Sequence, residues 1–217
     1  MAFYPHRNPR WLTRLISMVR LGFWWHGPET KNTIYITFDD GPIPEVTPFV
    51  LAQLAAFGAK ATFFCLGKNV DQNPDLFHQI VAEGHSIGSH TYNHPNGRKA
   101  DDKTYHQEVE IGQAAQDRLV ARSNAPLLFR PPYGRLRSSQ AKWLKSNGYQ
   151  IVLWEVLSGD FDLTLSPADC AANTCKAIKP GSIIVFHDSL KAKDRLEVAL
   201  PAVLAYAKKK GWSMVGL

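Results

Sequence analysis

At 217 residues, 45% of them hydrophobic and 20% charged, the chain has the composition of one soluble domain with a substantial core. Its net charge of +6 comes from 25 Lys and Arg against 19 Asp and Glu, a diffuse excess without a nucleic-acid-binding signature, so a nucleic-acid partner is not expected. Three cysteines, Cys65, Cys170 and Cys175, are odd in number and in no zinc-ribbon spacing, which fits a reducing compartment.

The first apolar stretch, Leu15 to Val19, is too short for a secretory core or a bilayer span, so a cytoplasmic location is expected, with cell-envelope association left open. Asn8-Pro9 starts a helix with Trp11, Leu12, Leu15, Ile16 and Val19 on one face and Arg10 and Arg14 opposite. Residues 9-20 would pack on the domain or touch an anionic membrane peripherally. Residues 1-32 thus form a helical extension and 33-217 the main domain.

From Thr33 onward strands and helices alternate. Strands are predicted at 33-38, 61-66, 85-89, 127-129, 150-156, 182-186 and 212-215. Helices open at Thr47-Pro48, Asn73-Pro74, Asp101 or Asp102, Ser138, Ser166-Pro167 and near residue 193, with Pro201 a candidate kink and Gly58, Gly84 and Asn147-Gly148 as stops. Seven strands alternating with helices favour a closed or nearly closed β/α barrel over an open doubly wound sheet. The polar residues agree, because Asp39-Asp40, His90, Arg130, Asp160 and His187 each follow a strand, where such barrels place their sites.

Asp39 and Asp40 sit where a β-branched, aromatic run meets Gly41-Pro42, a junction that lets both carboxylates enter one pocket, although the same composition also makes an ordinary turn. His90 and His94 lie four apart and can aim at one ion, with Asp40 as a third ligand. Arg130, stiffened by Pro131-Pro132, suits a residue that holds a carboxylate. Asp160 or Asp162 can orient a histidine, and His187, emerging from an apolar strand, is a general-acid candidate.

In order, Thr37-Phe38-Asp39-Asp40-Gly41-Pro42, His90-Thr91-Tyr92-Asn93-His94, Arg130-Pro131-Pro132-Tyr133-Gly134, Trp154 to Phe161 and Val185-Phe186-His187-Asp188 resemble the five motifs of the NodB-homology polysaccharide deacetylases, carbohydrate esterase family 4. The resemblance implies a distorted (β/α)7 barrel in a single domain that removes N- or O-acetyl groups from an acetylated oligo- or polysaccharide. It implies a divalent metal, Zn2+ first and Co2+, Ni2+ or Mn2+ as substitutes, held by Asp40, His90 and His94. It also implies Asp39 as base paired with Arg130, His187 as acid oriented by Asp160, and the Tyr133 backbone N–H as an oxyanion donor. The fourth motif departs from the family pattern: Leu157 and Phe161 stand where a carboxylate and an indole are frequent, and Val185 replaces a common leucine. Hydrolysis of a small cyclic amide or N-acyl compound, and a glycan- or membrane-binding domain with a silent site, are the alternative functions.

Overall fold

The run Thr33–Asp39, β-branched or aromatic up to its last residue, forms strand β1 and is buried at every position, as a strand covered on both faces must be. Ile34, Ile36 and Phe38 enter the apolar layer beneath the helices, whereas Tyr35 packs with Phe64, Val152, Ile183 and Trp24 on the opposite face. Thr37 and Asp39 share that second face. The strand therefore delivers a buried carboxylate where the chain leaves the sheet.

The computed structural model describes residues 22–28, 31–121 and 126–217, so the helix expected over 9-20 lies outside the described residues. After β1 come α1 (Thr47–Phe57), β2 (Thr62–Cys65), α2 (Gly67–Gln72), α3 (Pro74–Ala82), β3 (Ser86–Ser89), α4 (Asp102–Asp117), β4 (Leu127–Phe129), a 3-10 turn (Pro132–Gly134) and α5 (Ser138–Ser146). The chain continues through β5 (Tyr149–Ile151), β6 (Val156–Leu157), α6 (Pro167–Ala177), β7 (Ile183–His187), α7 (Lys193–Lys209) and β8 (Ser213–Val215). The strands pair in parallel in the order β5-β4-β3-β2-β1-β7-β6, and β8 pairs with the start of β1. This is the distorted (β/α)7 barrel in one domain, with β1 central. Its register sets Asp39 level with Phe64 of β2 and His187 of β7. No helix among the described residues is long and apolar enough to cross a membrane.

The run 150-156 differs from its expectation as one strand, because it splits into β5 and β6. Between them, Arg130 takes the carbonyls of Val152 and Leu153 at 3.4 and 3.2 Å, and Trp24 pairs with Val152. Those groups are spent on partners outside a ladder. The short α2 was not expected. Helix α1 starts at Thr47 itself, whose hydroxyl is engaged by Ile43 N and Asp188 instead of capping. Asp101 and Ser166 do cap, accepting from Thr104 N and Asp169 N.

The sheet path ends at β5 and β6, and residues 22–28 fill the seam between them. Trp24 N donates to Ile151 O at 2.9 Å, Leu153 N donates to Trp24 O at 2.7 Å, and Gly27 N donates to Gly181 O at 3.0 Å. Beside them the buried Glu155 meets His26 Nδ1 at 3.3 Å, Lys179 Nζ at 2.8 Å and Ser182 Oγ at 2.9 Å. Burial would push the Glu155 carboxyl up, but these partners outweigh it and bring it down to about 2.

Candidate active site and metal centre

The residues named from sequence as site residues converge at the carboxyl ends of β1, β3, β4, β6 and β7. Four of them, or their immediate loop neighbours, have left-handed backbone: Asp40 (φ 85°), Thr91 (φ 70°), His94 (φ 65°) and Tyr133 (φ 59°). Non-glycine residues in that region carry strain of roughly 1 kcal/mol or more each, tolerated where the surroundings over-determine the turn. The surroundings here do so. Asp188, fully buried, accepts from Gly41 N at 2.9 Å and from Thr47 Oγ1 at 2.6 Å, while Asn69 Nδ2 donates to Asp40 O at 2.6 Å. A side chain on Gly41 would overlap the Asp188 carboxylate, at 1.9 Å, so only glycine allows this clamp. Gly112 of α4 plays the same part below the histidine loop, where a Cβ would lie 2.6 Å from the Thr91 carbonyl carbon.

Asp40, His90 and His94 form a cluster whose ligand atoms all lie within 4.8 Å of one another. His94 Nε2 is 3.6 Å and His90 Nε2 3.9 Å from Asp40 Oδ1. His90 Nδ1 lies 2.6 Å from Arg130 O, a partner that can only accept, so Nδ1 carries a proton and Nε2 is the atom turned to the cluster. Burial, reinforced by His90, lowers the His94 imidazole to about 4 and keeps it neutral. Two imidazoles and one carboxylate are the donor set of a catalytic zinc site that leaves a position open. The residues fit a divalent cation.

Asp39 faces a different cation. Arg130, wholly buried, donates from Nη1 to Asp39 Oδ1 and to Thr37 Oγ1, both at 2.7 Å, with its plane 4.0 Å over the Phe64 ring. Burial would raise the Asp39 carboxyl; Arg130, with His90 and His187, outweighs it and holds the acid below its ordinary value. Across the register from Asp39, His187 Nδ1 lies 2.8 Å from Asp160 Oδ1, and His187 N donates to Asp160 Oδ2 at 2.7 Å. Burial would lower this imidazole, but Asp160 lifts it to about 9, so it keeps its proton at neutral pH. Arg195 Nε fixes the Asp160 backbone carbonyl at 2.6 Å.

Tyr133 also arrives at the site, its ring 4.6 Å from that of His94 and its side chain exposed. Phe161 lies edge-on to His187 at 5.1 Å. Asp162, the alternative orienting residue, instead accepts from Thr164 N and Oγ1. Sequence reasoning missed three supports: Asp188, Asn69 and Arg195. Asp188 was visible as the second half of His187-Asp188, but its partners are distant in the chain.

Known proteins place the chain in a family. The polysaccharide deacetylase family model matches residues 26–152. A peptidoglycan-N-acetylglucosamine deacetylase of Bacillus cereus is 36% identical over 192 residues, covering 88% of this chain and 89% of the relative. A chitooligosaccharide deacetylase of Azorhizobium caulinodans is 33% identical over 164 residues, covering 74% and 75%. Among solved structures, a peptidoglycan N-acetylglucosamine deacetylase in complex with 4-naphthalen-1-yl-N-oxidanyl-benzamide has a TM-score of 0.86 at 33% identity, covering 93% of each chain. With the barrel, the motif order and a solved counterpart matching over nearly the whole length, this chain belongs to the NodB-homology polysaccharide deacetylases of carbohydrate esterase family 4.

Proposed function

We propose that the protein is a metal-dependent hydrolase that removes acetyl groups from an N-acetylated carbohydrate, with O-acetylated sugars as the related substrates. The observation that carries this is the division between adjacent carboxylates: Asp40 joins His90 and His94, whereas Asp39 is held by Arg130 and lies level with a protonated His187. The names of the relatives support an acetylated glycan as substrate.

Asp40, His90 and His94 would hold the cation, zinc by donor type, which when bound acidifies water and polarises the acetyl carbonyl. Asp39, kept ionised by Arg130, takes the proton of the attacking water. The backbone N–H of Tyr133 donates to the oxygen that becomes negative as the carbonyl carbon turns tetrahedral. His187, holding its proton through Asp160, delivers it to the sugar nitrogen, since an amide nitrogen leaves only when protonated. The departing amine and acetate balance the bond broken and the water consumed.

Acetate release from chitooligosaccharides and peptidoglycan fragments, measured before and after chelation, tests this. Chelation should abolish release and added Zn2+ restore it. Undiminished release by fully demetallated protein would overturn the metal assignment, and turnover of small cyclic amides or N-acyl compounds alone would move the substrate away from glycans.

A further inference from the structure

We infer that Asn69 and Asp188 are positioning residues for the metal centre: they hold the backbone on both sides of Asp40 so that its carboxylate stands beside His90 and His94, and without them the site binds its cation more weakly. The inference rests on the metal-dependent reading above and adds to it two residues outside the ligand set. Of the three ligands, Asp40 has the least support from regular structure. His90 follows directly on β3, with its N bonded to Cys65 O at 3.0 Å and its ring tied to Arg130 O. Asp40 lies just past the end of β1, in a left-handed conformation (φ 85°) that an aspartate does not hold by its own preference.

The peptide before Asp40 gives its carbonyl, Asp39 O, to Asp188 N at 3.1 Å. The peptide after it is gripped at both ends: Asp40 O accepts from Asn69 Nδ2 at 2.6 Å, and Gly41 N donates to Asp188 Oδ1 at 2.9 Å. One residue further, Gly41 O accepts from Leu66 N at 3.1 Å. Neither φ nor ψ of Asp40 can change without breaking one of these bonds. The grips are themselves fixed, because both side chains are buried and the second oxygen of Asp188 accepts from Thr47 Oγ1 at 2.6 Å.

Asn69 also ties the two ligand-bearing loops to each other. It stands on α2, whose first N–H, from Gly67, donates to Thr91 O at 2.9 Å, between His90 and His94. A side chain on Gly67 would lie 2.6 Å from the Tyr92 ring, so α2 rests directly on the histidine loop. One short helix thus touches both arms of the cluster, by its backbone on the histidine side and by Asn69 on the Asp40 side. Ligands fixed before the ion arrives lose less conformational freedom on binding it, and removing an outer partner of a ligand typically weakens metal affinity by about 10- to 100-fold.

The test measures Zn2+ affinity by competition with a chromogenic chelator in wild type, Asn69→Ala, Asp188→Ala, Asp188→Asn and Asn73→Ala. Visible absorption of the Co2+-loaded forms reports ligand geometry, and circular dichroism of the metal-free forms reports folding. Asn69→Ala and Asp188→Ala should each bind Zn2+ about tenfold or more weakly and change the Co2+ spectrum. Asp188→Asn should stay near wild type, since its carboxamide can accept from Gly41 N and donate to Thr47 Oγ1. Asn73→Ala is the control: Asn73 Nδ2 reaches Pro42 O at 3.3 Å, beyond the gripped peptide, and its loss should leave affinity unchanged. Unchanged Zn2+ affinity in folded Asn69→Ala overturns the inference. So does a loss of the expected size in Asn73→Ala, which would mean general loosening, or in Asp188→Asn, which would mean that charge and not grip is what Asp188 supplies. Should Asp188→Ala fail to fold, Asn69→Ala and Asp188→Asn still decide. If wild type binds neither Zn2+ nor Co2+, the metal reading itself fails and this inference with it.

Discussion

Asp39 and Asp160 are both buried carboxylates that accept a short hydrogen bond from a nitrogen base, at 2.7 Å from Arg130 and 2.8 Å from His187. Their partners differ in one respect. A guanidinium cannot surrender its proton in this setting, so Asp39 is fixed as an anion and left with a lone pair to use on water. An imidazolium can, so Asp160 charges a partner that remains a usable acid. In the proposed mechanism one of these pairs removes a proton and the other gives one, although each is built from the same pair of charges.

The largest expected effects come from deleting either working group. Asp39→Asn and His187→Ala should each lower kcat for acetate release by about 10²- to 10⁴-fold. Full turnover in either variant would dissolve the division of labour. Replacing Arg130 with methionine strands the Asp39 charge in the interior, and an unpaired buried ion costs about 3–5 kcal/mol, to be read from the urea midpoint. A midpoint unchanged from wild type would mean that Arg130 is not what keeps Asp39 charged.

The smallest expected effect is a displacement along the pH axis. With the Asp39 carboxyl lowered and His187 raised to about 9, activity should hold through neutral pH and fall on the alkaline side as His187 loses its proton near 9. The same raised imidazole contributes stability that is complete below its unfolded value of about 6.5 and lost as pH rises through about 9. Asp160→Asn removes the largest upward push on His187 and leaves burial opposed only by Asp40 and Asp39, so the alkaline limb should move to lower pH. A limb that stays in place would assign it to a group other than His187.

Much of this was legible in sequence because Asp39-Asp40, Arg130 and His187 each follow a β-branched or apolar run and precede a turn, a local pattern that survives folding. The rest was set by distant partners. Asp188 finds Thr47 141 residues away, and nothing in either segment announces the pairing. The 150-156 run looks like one strand until Arg130, 22 and 23 residues earlier, takes its carbonyls. Helix α2, Gly67–Gln72, begins on glycine and has too few turns for a periodic apolar face; the bond from Gly67 N to Thr91 O and the Asn69 contact with Asp40 tie it to the site.

The seam segment at Trp24 to Gly27 has a consequence outside catalysis. An incomplete barrel leaves two rows of unpaired N–H and C=O groups, the kind of surface on which another chain's strand can add. By engaging Ile151, Leu153 and Gly181, residues 22–28 occupy part of those rows from within the same chain. What looks like a lead-in to the first strand thus covers, from within the same chain, part of an edge on which another strand could otherwise add.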